Sequence, residues 1–126
     1  MPEGAFFVMA KTKLCATVVG KTIEELRRSR DSQSGADLVE LRLDTLEKPD
    51  VAGALTGRNV PVIVTCRPVW EGGFFSGSEE ERRALLLEAQ RLGAEYIDVE
   101  YRCGFVDRLV QQSGGSGIVV SYHDFE

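Results

Sequence analysis

Five short runs rich in apolar and β-branched residues start near Leu14, Asp37, Val62, Tyr96 and Ile118, at spacings of 23, 25, 34 and 22 residues. Each run is alternating or continuously apolar over four to eight residues, the pattern of a strand. Four helical or loop-plus-helix segments separate them, and strict β/α alternation predicts a parallel sheet. Thr22 with Glu25, and Ser78 with Glu81, form capping-box pairs that start two helices. Gly35 and Gly93 stand where left-handed C-terminal caps belong. Shorter helices are expected at about 50–57 and 104–112, where Gly53 and flanking glycines weaken the pattern. The spacing brackets the ~31 residues per unit of an eight-unit, ~250-residue (β/α)8 barrel, so the chain holds about four and a half units. An open five-stranded flavodoxin-like sheet has the same count and length.

Side-chain parity separates these two architectures. On the second run Leu38, Glu40, Arg42 and Asp44 share one face, and Val39, Leu41 and Leu43 share the other. A central strand of an open sheet is covered by helices on both sides and is apolar on both. Here one face is charged. The third run repeats this with Ile63, Thr65 and Arg67 against Val62, Val64 and Cys66. The fourth sets Tyr96, Asp98 and Glu100 against Ile97 and Val99, and the fifth Val119, Ser121 and His123 against Ile118, Val120 and Tyr122. Cys15 and Thr17 continue the series on the first strand. Polar groups gathering at the C-terminal ends of one face are what a barrel mouth requires. The expected fold is therefore α/β, the first half of a TIM barrel with parallel strands.

Composition narrows the class of partner. The net charge is −5, and no Lys/Arg run is longer than two. That argues against nucleic acid or an anionic membrane and toward a small molecule. No apolar stretch approaches the ~20 residues of a membrane span, and the first twelve residues lack the basic and apolar regions of a secretory signal. Cys15, Cys66 and Cys103 form no C-x-x-C pair, so neither a disulfide framework nor a zinc site is expected. A reducing compartment fits.

Collected at the expected mouth are Glu40, Arg42, Arg67, Asp98, Glu100 and His123, with Glu71 in the loop after the third strand. Arginines among carboxylates suit an anionic substrate, since guanidinium groups grip carboxylates through a planar fork while neighbouring acids hold them in place. The same residues also suit a structural ion-pair network filling the barrel layer, and the two readings are compatible. A metal site built from His123, Glu40, Asp98 and Glu100 is the other alternative, opposed by two arginines facing the same cavity. His123 is the sole histidine. Its place among acids at a strand end suits general acid/base work, with Glu71 or another acid orienting the ring. The loop from Trp70 to Gly77, with exposed aromatics and several glycines, reads as a mobile substrate cover. Lys11, Lys13, Lys21 and Lys48 precede helices or lie near the first two strands, and a solvated role is expected of each.

Five stretches together resemble the type I 3-dehydroquinate dehydratases, more closely the plant-type domain fused to a shikimate dehydrogenase. They are the segment from Gly35 to Asp44, Thr65-Cys66-Arg67-Pro68, Trp70-Glu71-Gly72-Gly73, Tyr96-Ile97-Asp98-Val99-Glu100 and Ser121-Tyr122-His123-Asp124-Phe125. The resemblance implies a barrel that removes water from 3-dehydroquinate in the shikimate route to aromatic amino acids, with no metal and no diffusible cofactor. It further implies that a lysine forms an imine (a Schiff base) with the substrate ketone while a histidine moves the protons. Carried over by motif position, His123 is that acid/base and Glu71 orients it. On the same likeness Glu40, Arg42, Arg67 and Thr17 are expected to bind the substrate.

The imine lysine is expected on a strand beyond His123. Residues 13–126 are then expected to form the N-terminal half of the dehydratase barrel behind a leader at 1–12, inactive alone and prone to self-association through open strand edges. A plastid location follows if the plant-type likeness holds, the cytoplasm otherwise. Two alternatives stay open: a non-catalytic half-barrel binding or assembly module, and a different TIM-barrel lyase or metal enzyme.

Overall fold

The computed structural model describes residues 12–124. Residues 1–11 of the expected leader, with Lys11, and Phe125 of the last motif lie outside the described residues. Five parallel strands alternate with four helices: β1 (Cys15–Val18), α1 (Ile23–Asp31), β2 (Leu38–Arg42), α2 (Val51–Leu55), β3 (Val62–Thr65), α3 (Glu79–Arg91), β4 (Tyr96–Glu100), α4 (Val106–Ser113) and β5 (Ile118–Ser121). Every strand starts within one residue of its expected position.

The strands pair in sequence order, β1-β2-β3-β4-β5. Parallel crossovers are right-handed, so an unbroken sequential order sends every connecting helix to the same side of the sheet. An open doubly wound sheet reverses its order at a switch point, and no reversal occurs among these strands. Half of a barrel wall results, with helices outside and the inner face bare. The burial pattern agrees with the parity. Val39, Leu41, Val62, Val64, Ile97 and Val99, which face the helices, are 0% exposed. The inner-facing Leu38, Ile63 and Val119 are half-buried, and Tyr96 is exposed.

The register sets the inner-face residues in rows. Thr17 lies beside Glu40, and Glu40 beside Ile63. Arg42 lies beside Thr65, and Glu100 beside Ser121. The lower inner wall is apolar, from Leu38, Ile63, Tyr96 and Val119, and the upper wall is polar. That division follows directly from the order of residues along each strand.

The caps explain the helix starts. Ser78 and Glu81 exchange both bonds of a capping box, at 2.9 and 3.0 Å, and α3 begins there. Thr22 accepts from the Glu25 backbone N–H, but the Glu25 carboxylate reaches the N–H of Lys21, one residue before the cap. The box on α1 is therefore offset rather than reciprocal. Gly93 follows the cap residue Leu92 with φ of 93°, as expected. Gly35 also has positive φ, but α1 is capped at Ser32, three residues earlier. Gly35 serves the turn into β2 instead, because Ser32, Gln33 and Ser34 complete the helix end with their own hydrogen bonds.

Two buried arginines fasten the helix layer, one joining α1 to α2 and the other joining α3 to the sheet. Arg30 on α1 donates from Nη1 to the carbonyls of Ala54 and Thr56, completing the C-terminal end of α2. Arg82 on α3 shares the inward stripe with Leu86 and Ala89. Its guanidinium lies over the rings of Trp70 and Phe105, 5.7 and 5.1 Å from their centroids. Among the described residues no helix is long and apolar enough to cross a membrane.

Candidate active site

At the C-terminal end of the inner wall the polar side chains form three linked groups. In the first, Thr17 donates to Glu40 Oε1 at 2.8 Å and Thr65 to Glu40 Oε2 at 2.6 Å. Both carboxylate oxygens are thus oriented by hydroxyls from the neighbouring strands, which the parallel register places on either side of β2. Arg42 turns toward Asp44 instead, forking onto it from Nε at 2.9 Å and Nη2 at 2.8 Å. Asp44 belongs to a 3-10 turn at Leu43–Thr45 and not to the strand on which parity places it. The main chain turns there because the Thr45 hydroxyl accepts the Gly20 N–H and donates its one proton to the Arg42 carbonyl at 2.7 Å, with the Gly20 carbonyl next nearest at 3.1 Å. Asp44 also accepts the Phe74 N–H, tying the β3–α3 loop to the end of β2.

The second group is a chain of charges crossing the sheet, buried except for Glu79 at its outer end. Arg67 Nη1 donates to Asp98 and Glu100 at 2.6 Å each, and to Ser121 at 2.9 Å. The second oxygen of Glu100 accepts from Arg82 Nη1 at 2.6 Å, and Arg82 forks onto Glu79 through Nε and Nη2. A structural ion-pair network is therefore present, and it ends on the inner wall at Arg67 and Asp98. Because Arg82 comes from the helix layer, the position of Arg67 depends on how α3 packs.

The third group contains the histidine. His123 Nδ1 lies 3.1 Å from Glu71 Oε2, and the His123 backbone N–H donates to the same oxygen at 3.1 Å. Glu71 Oε1 accepts from Arg102 Nε and Nη2 at 3.1 and 2.6 Å. Burial pushes the Glu71 carboxyl up, but the donors from Arg102 and His123 outweigh it and hold the group below its ordinary value. An ionised Glu71 is an acceptor only. The proton of that contact therefore sits on His123 Nδ1, leaving Nε2 as the nitrogen able to take one.

Glu71 reaches this position through its loop. A 3-10 turn at Val69–Glu71 is closed by Gly72 with φ of 83°. Phe75 then folds back, with bonds from Val69 N–H to the Phe75 carbonyl and from Phe75 N–H to the Arg67 carbonyl. A Cβ on Gly73 would collide with the Arg67 carbonyl oxygen and side chain. The segment expected as a mobile cover is a hydrogen-bonded turn, and two of its glycines are accounted for by a left-handed cap and a close backbone approach. Those are the needs only glycine meets.

The site thus brings together Thr17 with Glu40, and Glu71 with His123. Arg42 and Arg67 flank them, each held by its own acids. Pattern reading had not singled out Thr65, Asp44, Arg82 or Arg102 for a role. Among the described residues no group of three or more His, Cys, Asp or Glu side chains is arranged to hold a metal ion.

The family model of the type I 3-dehydroquinases matches residues 14–126. The chain belongs to this family. A 3-dehydroquinate dehydratase of Desulfotalea psychrophila is 37% identical over 122 residues, covering 94% of this chain and 54% of that protein. The bifunctional, chloroplastic 3-dehydroquinate dehydratase/shikimate dehydrogenase of Arabidopsis thaliana is 36% identical, covering 90% of this chain and 20% of that one. The solved 3-dehydroquinate dehydratase of Enterococcus faecalis superposes with a TM-score of 0.75 at 30% identity, over 90% of this chain and 54% of its own. The chain spans about half the length of the dehydratases it matches. The sheet order and bare inner face are those of half such a barrel.

Proposed function

We propose that this chain supplies the acid/base pair and part of the substrate wall of a 3-dehydroquinate dehydratase. The observation that carries the reading is the Glu71–His123 pair at the barrel mouth, in a chain that belongs to the type I 3-dehydroquinase family. Glu71 holds the Nδ1 proton, so Nε2 removes a proton from the carbon beside the substrate ketone and returns it to the departing hydroxyl as water leaves. The Nδ1 contact stabilises the imidazolium that forms between the two steps.

Glu40, fixed by Thr17 and Thr65, accepts hydrogen bonds from substrate hydroxyls. Arg42 and Arg67 face the substrate's carboxylate and hydroxyl groups. Their acid partners offset the repulsion between the two guanidinium groups and hold each in place, so their geometry is set before substrate arrives.

The imine in this chemistry comes from a lysine. Lys13 precedes β1, Lys21 precedes α1 and Lys48 precedes α2, and none of the three is given that role. The chain's part is proton transfer and binding. Borohydride treatment with dehydroquinate is accordingly expected to leave the mass of this polypeptide unchanged, and a trapped adduct would contradict the assignment.

The strand edges of β1 and β5 carry unpaired backbone groups among the described residues, which favours self-association. Sedimentation that shows a concentration-independent monomer would oppose this. The chloroplastic Arabidopsis relative supports a plastid setting, the cytoplasm being the alternative, and fractionation of the source cells separates them.

Calorimetric titration with 3-dehydroquinate, run beside divalent cations, tests the main reading. Saturable heat with dehydroquinate and none with the ions is expected. The reverse result would favour a metal enzyme, and no heat with either would favour a non-catalytic module.

A further inference from the structure

Arg102 has no role in the chemistry proposed above, yet it touches both members of the acid/base pair. It lies in the turn that follows β4, which Tyr101 N–H to the Ser121 carbonyl and Cys103 N–H to the Glu100 carbonyl hold against β5. From there its Nε and Nη2 both reach Glu71 Oε1, and Nη2 also donates to the His123 carbonyl at 3.1 Å. Its guanidinium lies 5.1 Å from the centroid of the Tyr122 ring, next in sequence to the histidine. One side chain therefore joins three segments: the loop bearing Glu71, the turn after β4 and the end of β5.

We propose that Arg102 is a positioning residue, which clamps one oxygen of the Glu71 carboxylate and so keeps the other oxygen aimed at His123 Nδ1. The inference deepens the proposed function and rests on the acid/base role given to His123. The Glu71 carboxylate is fully buried, and its two oxygens divide between two partners, Oε1 to Arg102 and Oε2 to His123. A carboxylate with only the second partner is free to rotate about its last bond and to exchange oxygens. With Arg102 in place that rotation breaks a forked, charge-assisted contact.

The same contact bears on charge. Burial disfavours an ionised Glu71, and the Arg102 hydrogen bond is the largest influence opposing it. Without Arg102 the carboxylate is less well held in the form that accepts from Nδ1. Among the described residues, the charged and titratable groups around the pair include Glu71 from the β3–α3 loop, Arg102 after β4, and Tyr122 and Asp124, which flank the histidine just past the end of β5. Arg102 is the one among them that grips the second oxygen of Glu71.

The sole histidine gives a single set of imidazole nitrogen signals, so nitrogen-15 NMR of the ligand-free protein at neutral pH reads the ratio of Nδ1–H to Nε2–H forms directly. Wild type, Arg102→Gln, Arg102→Lys and Glu71→Gln are compared. The clamp predicts that Arg102→Gln lowers the Nδ1–H to Nε2–H ratio by about two- to fivefold, the range of a partly exposed ion pair. Arg102→Lys restores the ratio in part, because an ammonium offers the charge without the fork. Glu71→Gln changes the ratio at least as much as Arg102→Gln. An Arg102→Gln spectrum identical to wild type, or a ratio indifferent to Glu71→Gln, overturns the proposal. Since no substrate is present, that outcome is distinct from a failure to bind dehydroquinate, which would count against the dehydratase reading alone.

Discussion

Replacing Arg82 with methionine strikes the link between the helix layer and the inner wall. The Arg82 side chain is 0% exposed, and its Nη1 donates to Glu100 at 2.6 Å and to the Cys66 carbonyl at 3.2 Å. Methionine keeps most of the volume and can still pack against Trp70 and Phe105. The loss is therefore mainly electrostatic. Glu100 keeps Arg67 through one oxygen, but the other oxygen and the Cys66 carbonyl lose their donor inside the wall. Removing one partner of a buried pair costs about 3–5 kcal/mol, and the surviving Arg67 contact places the expected loss near the lower end, about 3 kcal/mol. For a domain of this size that lowers the melting temperature by about 12 °C. Urea unfolding should show the midpoint shift with little change in slope. Adding Glu100→Gln to the methionine variant removes the stranded charge and should recover about 1 kcal/mol or more. A loss under about 1 kcal/mol for Arg82→Met, or strict additivity in the double variant, would refute the reasoning.

Three further outcomes follow from the same geometry. The Glu71 carboxyl is held below its ordinary value of 4.5 in the folded chain. Its contribution to stability is thus fully present above that pH and is lost as pH falls through the lowered folded value. The stability gap between wild type and Glu71→Gln, followed by thermal melts, should be constant near neutrality and shrink below about pH 4.5. Gly73→Ala places a methyl against the Arg67 main chain, so it should destabilise by about 1–3 kcal/mol and broaden the His123 ring signals; a melt within a degree of wild type would contradict this. Cys15 is exposed, Cys66 and Cys103 are buried, and burial pushes the Cys66 thiol up to about 12. A thiol reagent at pH 8 should therefore modify Cys15 in the native protein and Cys66 only after denaturation, as peptide mapping will show.

Much of the inner wall was legible because a strand's side chains alternate without exception. With β2 running from Leu38 to Arg42, Glu40 shares a face with Arg42, and the parallel register puts Thr17 beside Glu40 and Thr65 beside Arg42, one step along the same face from Glu40. The histidine was legible because the extended chain continues the parity of Ser121 to His123, two residues past the end of β5. Arg82 was not, because Glu79-Glu80-Glu81-Arg82-Arg83 reads as a solvated helix start. Its spacing of four and seven to Leu86 and Ala89 was the available signal, and the charge obscured it. Arg102 and Asp44 lie just past strand ends, where alternation stops and turn geometry decides which way a side chain points. The glycines of the β3–α3 loop were misread for a related reason. Composition cannot distinguish a glycine needed for motion from one needed because Arg67 leaves no room for a Cβ.

The proposed function places His123, aimed by Glu71, on a wall that binds dehydroquinate. Titrating 3-dehydroquinate into the protein while following the ring signal of its sole histidine measures that directly. The structure predicts a saturable shift in the wild type, and a dissociation constant about tenfold weaker in Arg42→Met, the loss of one charge-assisted contact at a partly exposed guanidinium. A histidine signal that stays fixed while dehydroquinate reaches saturation at another place, or a shift with the same affinity in both proteins, would contradict it.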